Sequence, residues 1–451
     1  MTSRASRVLA PVIVFSLLGG SLAACSVTVD NAASSESSAT VASSLDAALW
    51  DSSTVHSISI DYDADEYTDM IDTYLSTGEK EWISATVVID GQTFSDVGLK
   101  LKGNSSLRGL STDADADLSS QNPQDLPWII RLDKFVDGQN LEGTTELVVR
   151  GNSSQTSLNE ALALELLEKA GLAAEQAVSV RLSVAGSDES LRLVIENPSD
   201  EWSDRELGSG LLYKAEAGGD YSYRGEDPAS YEDVFDQEAG EDDLTPLIEF
   251  LQWINESDDA EFAEGLSDRL DVEAFATYLA FQEIVDNFDD IDGPGNNSYL
   301  YYDTDTQRMT VVNWDLNLAF GATPGGGGQD AGGGQGPGRG GGGQAPGDGG
   351  DRPERPDETE QTDMAATAAM GNADGRRGGG SNVLAERFLA NDEFHALYES
   401  ALERLQSELI ESGTAAQLLQ EWTEVLNEQA SDLVSADTIS QESEALAQKL
   451  G

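Results

Sequence analysis

A carboxylate-rich loop and the end of a strand about 25 residues later carry the side chains best suited to chemistry. Asp289 and Asn297 lie in the loop, and Asp315 and Asn317 follow the strand. A hairpin predicted over 298–314 brings both segments to its open end. Carboxylate and amide oxygens are ligands that suit Mg²⁺ bound together with phosphates. The segment therefore predicts a metal–phosphate site, and a purely structural acidic loop is the alternative.

The same arrangement fits phosphoryl transfer, in which an Asp accepts a proton while a nearby Asn and a second Asp hold metal ions. The step from Asp289 to Asn297 is eight residues, longer than the step of about five in protein kinases, and neither His-Arg-Asp nor Asp-Phe-Gly occurs. An EF-hand is excluded, because Gly293 at its sixth position would put Phe288 and Tyr299 at the first and twelfth. Another calcium loop and a two-carboxylate glycosidase are the alternatives.

The composition limits which partners and catalytic groups the chain can use. It has 84 acidic and 25 basic residues, a net charge of −59, which repels nucleic acid and anionic lipid and attracts divalent cations. We therefore expect no nucleic-acid partner. One cysteine and two histidines argue against a disulfide, a Cys-based zinc site and a Ser-His-Asp triad. Chemistry in this chain is expected to depend on carboxylates, amides and lysine.

The N-terminus has the pattern of an exported lipoprotein. Two arginines precede an apolar run, 8–18, that is too short to span a bilayer. The sequence Leu-Ala-Ala before Cys25 resembles the lipobox of bacterial lipoproteins, in which the thiol receives a lipid. We expect a signal peptide over 1–24 and a lipidated tether over 25–50, anchored at the extracytoplasmic face of a cell membrane. An ordinary signal peptide with a chance cysteine is the alternative.

The rest of the chain predicts an α+β protein that is β-rich first and helical later. Alternating apolar residues predict strands, and apolar residues at helical spacing predict helices. The predicted strands are 56–60, 85–89, 97–102, 128–132, 145–150, 178–184, 191–195, 211–214, 298–302 and 309–314. The predicted helices are 158–170, 247–254, 272–287, 382–389, 392–411, 414–428 and 440–450. The glycine-rich segment 324–380 is predicted to be a disordered insertion.

Two short segments echo each other, Lys-Gly-Asn-Ser-Ser at 102–106 and Arg-Gly-Asn-Ser-Ser at 150–154. The first of them belongs to a series that, in order along the chain, resembles the CotH kinase family of spore coat protein H-like atypical protein kinases. The segments of this series are 101–107, Asp133-Lys134-Phe135, Gly138-Gln139, 212–216, 287–289, Gly293-Pro294, 297–301 and 314–321. The resemblance covers roughly residues 55 to 435.

The resemblance implies a two-lobed atypical protein-kinase-like fold that transfers phosphate from ATP to protein hydroxyls with Mg²⁺ or Mn²⁺. By position, Asp289 would be the catalytic base. The implied metal ligands are Asn297, Asp315 and Asn317. A lysine would contact the phosphates, with Glu196 or Glu216 orienting it, and a glycine-containing turn would offer backbone N–H groups to them. The residues implied in nucleotide binding are Lys102, Gly103, Asn104, Ser105, Ser106, Lys214 and Glu216.

The resemblance also suggests how the chain is divided. We expect a kinase domain over 51–435, with a β-rich N-terminal lobe over about 51–215 and a helical C-terminal lobe over about 245–435. A further helix is expected over 436–451. The protein substrate is unknown. A non-catalytic envelope binding or scaffold lipoprotein on the same fold is the alternative function, and a structural calcium-binding lipoprotein is a third.

Overall fold

A computed structural model describes residues 48–103, 105–114, 116–152, 154–216, 220–293, 297–322 and 382–451. The predicted signal peptide, Cys25, nearly all of the predicted tether and the predicted insertion at 324–380 lie outside these residues. Within them the chain contains both helices and strands, which confirms the α+β class. No helix in these ranges has the length and apolar character needed to cross a membrane.

Seven strands close into a barrel. They are β1 (His56–Tyr62), β2 (Ile83–Ile89), β3 (Gln92–Leu101), β4 (Trp128–Arg131), β5 (Glu146–Val149), β6 (Ala177–Val184) and β7 (Ser190–Glu196). Around the barrel they follow the order β1-β2-β3-β4-β5-β7-β6, and only the closing pair, β1 with β6, is parallel. The turn between β2 and β3 holds Asp90 and Gly91 at positive φ, which is the conformation that tight hairpins need. The predicted barrel strands are confirmed.

A separate four-stranded sheet carries the predicted 298–314 hairpin. Its strands are β8 (Gly210–Ala215), β9 (Phe235–Ala239), β10 (Ser298–Asp303) and β11 (Arg308–Asn313). They are all antiparallel, in the order β11-β10-β8-β9, so the hairpin forms one side of the sheet. Strand β9 escapes sequence-based prediction, because three of its five residues are charged or polar.

The described residues form ten α-helices, and a π-helical turn, Gln406–Glu411, follows the eighth. The helices are α1 (Ala64–Thr77), α2 (Leu158–Lys169), α3 (Asp200–Glu206), α4 (Thr245–Glu256), α5 (Asp259–Gly265), α6 (Val272–Ile284), α7 (Val383–Ala390), α8 (Asp392–Leu405), α9 (Thr414–Gln429) and α10 (Ala436–Lys449). The seven predicted helices are confirmed with shifted ends. The other three, α1, α3 and α5, were not predicted. Helix α1 buries only Met70 and Ile71 between its Asp63 and Gly78 caps.

Two apolar cores meet at the wall of the barrel. The inward side chains of the strands fill the barrel, whereas Val148 and Ile195, on the outer face of β5 and β7, belong to the larger core. That larger core also contains α2, the second sheet and the C-terminal helices. Helix α2 buries nine of its 12 residues, so it is enclosed rather than amphipathic. The barrel, α2 and the second sheet therefore form one continuous packing unit.

The outer face of β3 depends on a glycine that allows close packing. A Cβ on Gly98 would lie 2.6 Å from Lys134 Cβ and 2.9 Å from Trp82 Cε3, closer than real Cβ contacts. We expect Gly98→Ala to lower the free energy of unfolding by about 1–3 kcal/mol, because the Trp82 ring and Lys134 must move apart. Urea unfolding measures the loss. Ser95→Ala, at an exposed position of the same strand, is the control, and equal stabilities of the two variants would contradict this packing.

Candidate active site

The two echoing segments converge at one end of the barrel. Strands β3 and β5 are each antiparallel to β4, so both end at the same side and lead into Lys102-Gly103 and Arg150-Gly151. Gly103 has φ 92° and would place a Cβ 2.0 Å from Ser106 Oγ, so only glycine fits there. A Cβ on Gly151 would lie 3.4 Å from Ser106 Cβ. The turns are therefore neighbours. Asn104 lies outside the described residues, and the Ser105 side chain is not described.

The hairpin β10–β11 brings the predicted loop and strand end together. Ser298 pairs with Asn313 at its open end, so Asn297 lies just before one strand and Asp315 just after the other. Asn297 Nδ2 donates to the backbone oxygen of Asp289 at 2.8 Å and to its Oδ2 at 3.0 Å. Residues 294–296 of the loop lie outside the described residues. The predicted convergence of Asp289, Asn297 and Asp315 is present in the structure.

The environment of Asp289 favours a proton-accepting carboxylate. Burial, and then the negative charge of Asp315, raise the pKa of Asp289 to about 6, although the hydrogen bond from Asn297 acts in the opposite direction. A carboxylate with this pKa is mostly ionised at neutral pH but binds a proton far more readily than an exposed Asp. That balance suits a general base, whose pKa should lie near the working pH.

Arg150 joins the barrel to α2 and to Asp315. Its Nε donates to Glu160 Oε2 at 3.0 Å, its Nη2 lies 2.9 Å from Glu160 Oε1, and Nη2 also donates to Asp315 Oδ1. Burial lowers the pKa of Arg150, but the charges of Asp315 and Glu160 outweigh it and raise the pKa overall. Arg150 is only 8% exposed and Glu160 only 3%. Sequence reasoning missed both residues, and the Arg-Gly-Asn-Ser-Ser echo was the signal.

The backbone after Asp315 is held in an unusual conformation. Asp315 and Phe320 have φ values of 61° and 60°, a left-handed region that is unfavourable for residues with a side chain. Asn159 Nδ2, on α2, donates to the backbone oxygen of Asn317 at 2.7 Å, and the Phe320 N–H donates to Val285 O. These contacts fix the course of the loop that follows Asp315. The metal role of the Asn317 side chain stays a prediction.

The two predicted lysines lie beside each other, one at the barrel end and one on the second sheet. Lys102 Nζ is 3.5 Å from Asn197 Oδ1 and 5.3 Å from the Trp314 ring centroid. Burial, and then the charge of Lys214, lower the pKa of Lys102 to about 8. Lys214 Nζ lies 3.0 Å from Glu216 Oε1, the partner predicted for it. An ammonium with so low a pKa gains from an anionic ligand, which would stabilise its charged form.

The acidic partners of these lysines differ in part from those expected. Glu196 accepts two hydrogen bonds from Arg205, at 2.7 Å each, so it orients an arginine and not a lysine. Glu238, on β9, lies 3.8 Å from Lys214 Nζ and was missed, because β9 carries no clear strand signal. Burial raises the pKa of Glu238, although the charge of Lys214 acts to lower it.

The donor atoms fit Mg²⁺ that is shared with phosphates. No group of three or more acidic, histidine or cysteine side chains in the described ranges lies close enough to hold a metal alone. Asp289 and Asp315 offer two carboxylates and Asn297 an amide oxygen. Magnesium is commonly held by one or two carboxylates together with substrate phosphates and water. Arg150 occupies Oδ1 of Asp315, and Oδ2 makes no hydrogen bond to another described residue.

The raised pKa of Asp289 predicts how stability changes with pH. Because the folded state binds this proton more tightly than the unfolded state, with pKa about 6 against 3.8, stability falls as pH rises from about 4 to about 6. The loss should be on the order of 2–3 kcal/mol relative to Asp289→Asn, which has no such proton. Urea unfolding at several pH values measures it. Asp305→Asn, at the exposed hairpin turn, should follow the wild type; parallel curves for wild type and Asp289→Asn would refute the shift.

Removing Arg150 should leave two carboxylates without their buried cation. We expect Arg150→Met to lower the free energy of unfolding by about 3–5 kcal/mol, and Glu160→Gln in the same chain to restore part of the loss. Arg404→Met, which breaks an exposed pair with Glu408, should cost no more than about 1 kcal/mol. Urea unfolding of the four proteins provides the comparison. A loss for Arg150→Met as small as that for Arg404→Met would show that the buried ion pairs are not important for stability.

Comparison with known proteins agrees with this geometry. The family described as CotH kinase protein matches residues 99–448, more than three quarters of the chain. The match includes both turns, the hairpin and all but the last residue of α10. No curated protein matches the chain. The chain therefore belongs to the CotH kinase family and is a kinase-like protein.

Proposed function

We propose that this protein is an atypical protein kinase that transfers the γ-phosphate of ATP to a hydroxyl group of a protein, with Mg²⁺ or Mn²⁺. The observation that carries the proposal is the pair of carboxylates at the open end of the β10–β11 hairpin. Asp289 is partly buried, hydrogen-bonded to Asn297 and has a pKa raised to about 6, and Asp315 lies close enough to contribute to that pKa. Phosphoryl transfer requires one carboxylate that accepts a proton and another that binds a metal ion.

Asp289 has the role of base in this reaction. The acceptor oxygen bonds to the γ-phosphorus while the bond from that phosphorus to the bridging oxygen of ADP breaks, and the acceptor proton passes to Asp289. Asn297 holds Oδ2 of Asp289, which leaves Oδ1 to receive the proton. A metal ion, when bound with ATP, neutralises the charge of the phosphates. Asp315 and Asn297 would bind that ion, with Asn317 assisting.

The cationic residues have two different roles in the proposal. Lys102 and Lys214 are placed to contact the phosphates, and phosphate binding would restore the charge that burial disfavours on Lys102. Glu216 orients Lys214 through its 3.0 Å ion pair. Arg150 is paired on two sides, so its role is to position Asp315 rather than to contact the nucleotide. Gly103 and Ser106 belong to the turn that would cover the phosphates.

The proposal also includes the cellular location of the protein. The apolar run 8–18 and the Leu-Ala-Ala-Cys25 sequence support export and lipid attachment, which would hold the kinase at the outer face of a cell membrane. The protein acceptor is unknown.

Loss of either carboxylate should abolish transfer. The whole chain is incubated with γ-labelled ATP and Mg²⁺ or Mn²⁺, alone and with a generic protein acceptor. Asp289→Ala and Asp315→Ala should each reduce label incorporation by about 10²–10⁴-fold, because they remove the base and a metal ligand. Asp305→Ala, on the far turn of the same hairpin, is the matched control and should keep activity.

Circular dichroism verifies that the variants are folded. Retained activity in both site variants would exclude the assigned site. No label from the folded wild type, together with no shift in melting temperature on adding ATP and Mg²⁺, would favour a non-catalytic binding or scaffold protein on this fold.

Lipid attachment has its own test. When the whole chain is expressed in a bacterium that processes lipoproteins, wild type should fractionate with membranes, and Cys25→Ser should be released or remain unprocessed, because serine offers no thiol for the lipid. Immunoblotting of the fractions measures the distribution. Ser26→Ala is the control next to this position. Equal membrane association of wild type and a Cys25→Ser protein of the mature, cleaved size would exclude the lipid anchor.

A further inference from the structure

The last helix of the chain is bonded to the start of α2. Glu442, on α10, accepts hydrogen bonds from the backbone N–H groups of Gln155 and Thr156, both at 3.0 Å, and from Thr156 Oγ1. Thr156 is only 3% exposed. The N-cap residue of α2, Ser157, makes no capping bond with its own side chain. A carboxylate nearly 290 residues away therefore holds the entry to α2.

The first turn of α2 is in contact with the site. Asn159 donates to the backbone oxygen of Asn317, and Glu160 pairs with Arg150, which also holds Asp315. These bonds connect the position of α2 with the position of Asp315. A shift at the entry of α2 would therefore disturb both Arg150, which holds the Asp315 side chain, and the backbone of Asn317 in the loop after it.

The same helix also reaches the far end of the Asp315 loop. Lys449 Nζ, in the last turn of α10, donates to the backbone oxygen of Phe320. A Cβ on Gly321 would lie 3.1 Å from Lys449 Nζ and 2.7 Å from Asp286 Oδ2, so the lysine is close to the loop as well as bonded to it. Phe320 has φ 60°, and such a conformation persists only where surrounding contacts hold it. Lys449 supplies one of these contacts.

We infer that α10 is a positioning clamp, with Glu442 fixing the entry of α2 and Lys449 fixing the end of the Asp315 loop. The two residues lie on one helix, so the loop is held from both sides by one rigid element. Helix α10 is itself anchored in the large core through Ile439 and Leu446. Neither Glu442 nor Lys449 touches the reacting groups, and both act through Asp315. The effect of the clamp on catalysis depends on the proposed function, but its effect on the loop does not.

Hydrogen–deuterium exchange of the whole chain without nucleotide tests the clamp directly. The amides of Phe320 and Gly321 are bonded to Val285 and Asp286 and should exchange slowly in the wild type. Glu442→Gln and Lys449→Met should each make them exchange about tenfold faster, the effect of losing a hydrogen bond to a charged group. Glu444→Gln on the same helix and Lys169→Met at the end of α2 are matched controls. Wild-type exchange at these amides in both clamp variants would overturn the inference.

The metal dependence of phosphate transfer is the second measurement. If the clamp positions Asp315, Glu442→Gln should raise the Mg²⁺ concentration for half-maximal activity about fivefold or more, because a displaced ligand binds metal less well. Simple loss of folded protein would lower the maximal rate without this change. Lys449→Arg keeps a donor and should restore wild-type Mg²⁺ dependence relative to Lys449→Met. An unchanged Mg²⁺ requirement in both Glu442→Gln and Lys449→Met would overturn the catalytic part of the inference.

The two measurements also separate this inference from the proposed function. A wild type that transfers no phosphate contradicts the proposed function, and the exchange experiment still decides whether α10 holds the loop. Faster exchange in the clamp variants supports the clamp in either case.

Discussion

The ion pairs of Arg150 with Glu160 and Asp315 are the interaction on which the rest of the site depends. One guanidinium joins the end of a barrel strand, the first turn of α2 and the loop that follows β11. A buried cation of this kind is strongly destabilising when one partner is lost and contributes little when both are replaced by apolar groups. The role of Arg150 at the end of the barrel is therefore better explained by the geometry of the site than by stability, because Arg150 fixes where Asp315 points.

The two carboxylates of the site have different surroundings and so can have different roles. Partial burial and the charge of Asp315 raise the pKa of Asp289 to about 6, against the hydrogen bond from Asn297. Asp315 is bonded to a cation that stays charged at any physiological pH, and its backbone has an uncommon conformation. A carboxylate that can gain and lose a proton beside one that is paired with a cation is a recurrent arrangement in catalysis. In this chain the surroundings differ because Asp289 lies in the loop before β10, beside Asn297, whereas Asp315 follows β11 and pairs with Arg150.

Features with a local signal were predictable from the sequence, and features made by distant contacts were not. The 298–314 hairpin, Asp289, Asn297 and Asp315 follow from strand periodicity and turn residues, and the structure brings them together. Strand β9 has too few apolar residues to show a period. Helix α1 was missed although Tyr67, Met70, Ile71 and Tyr74 follow helical spacing between its two caps. Glu238 was missed because it lies on β9, and Arg150 was missed because its partner Asp315 lies 165 residues away along the chain. Glu196, one of the two residues expected to orient a lysine, instead accepts hydrogen bonds from Arg205, nine residues later.

The hairpin that separates Asn297 from Asp315 has a consequence for how the sequence can vary. The spacing between Asn297 and Asp315 is set by the register of the β10–β11 pair at its open end. It does not depend on the number of residues between them. The turn at 303–307 lies at the opposite end, is exposed at most of its positions and is closed by the Asp303 side chain. Insertions there would lengthen the strands or the loop while the open end keeps its spacing. A related chain with a longer turn can therefore keep the same site, and a reporter peptide for labelling this protein would be placed there.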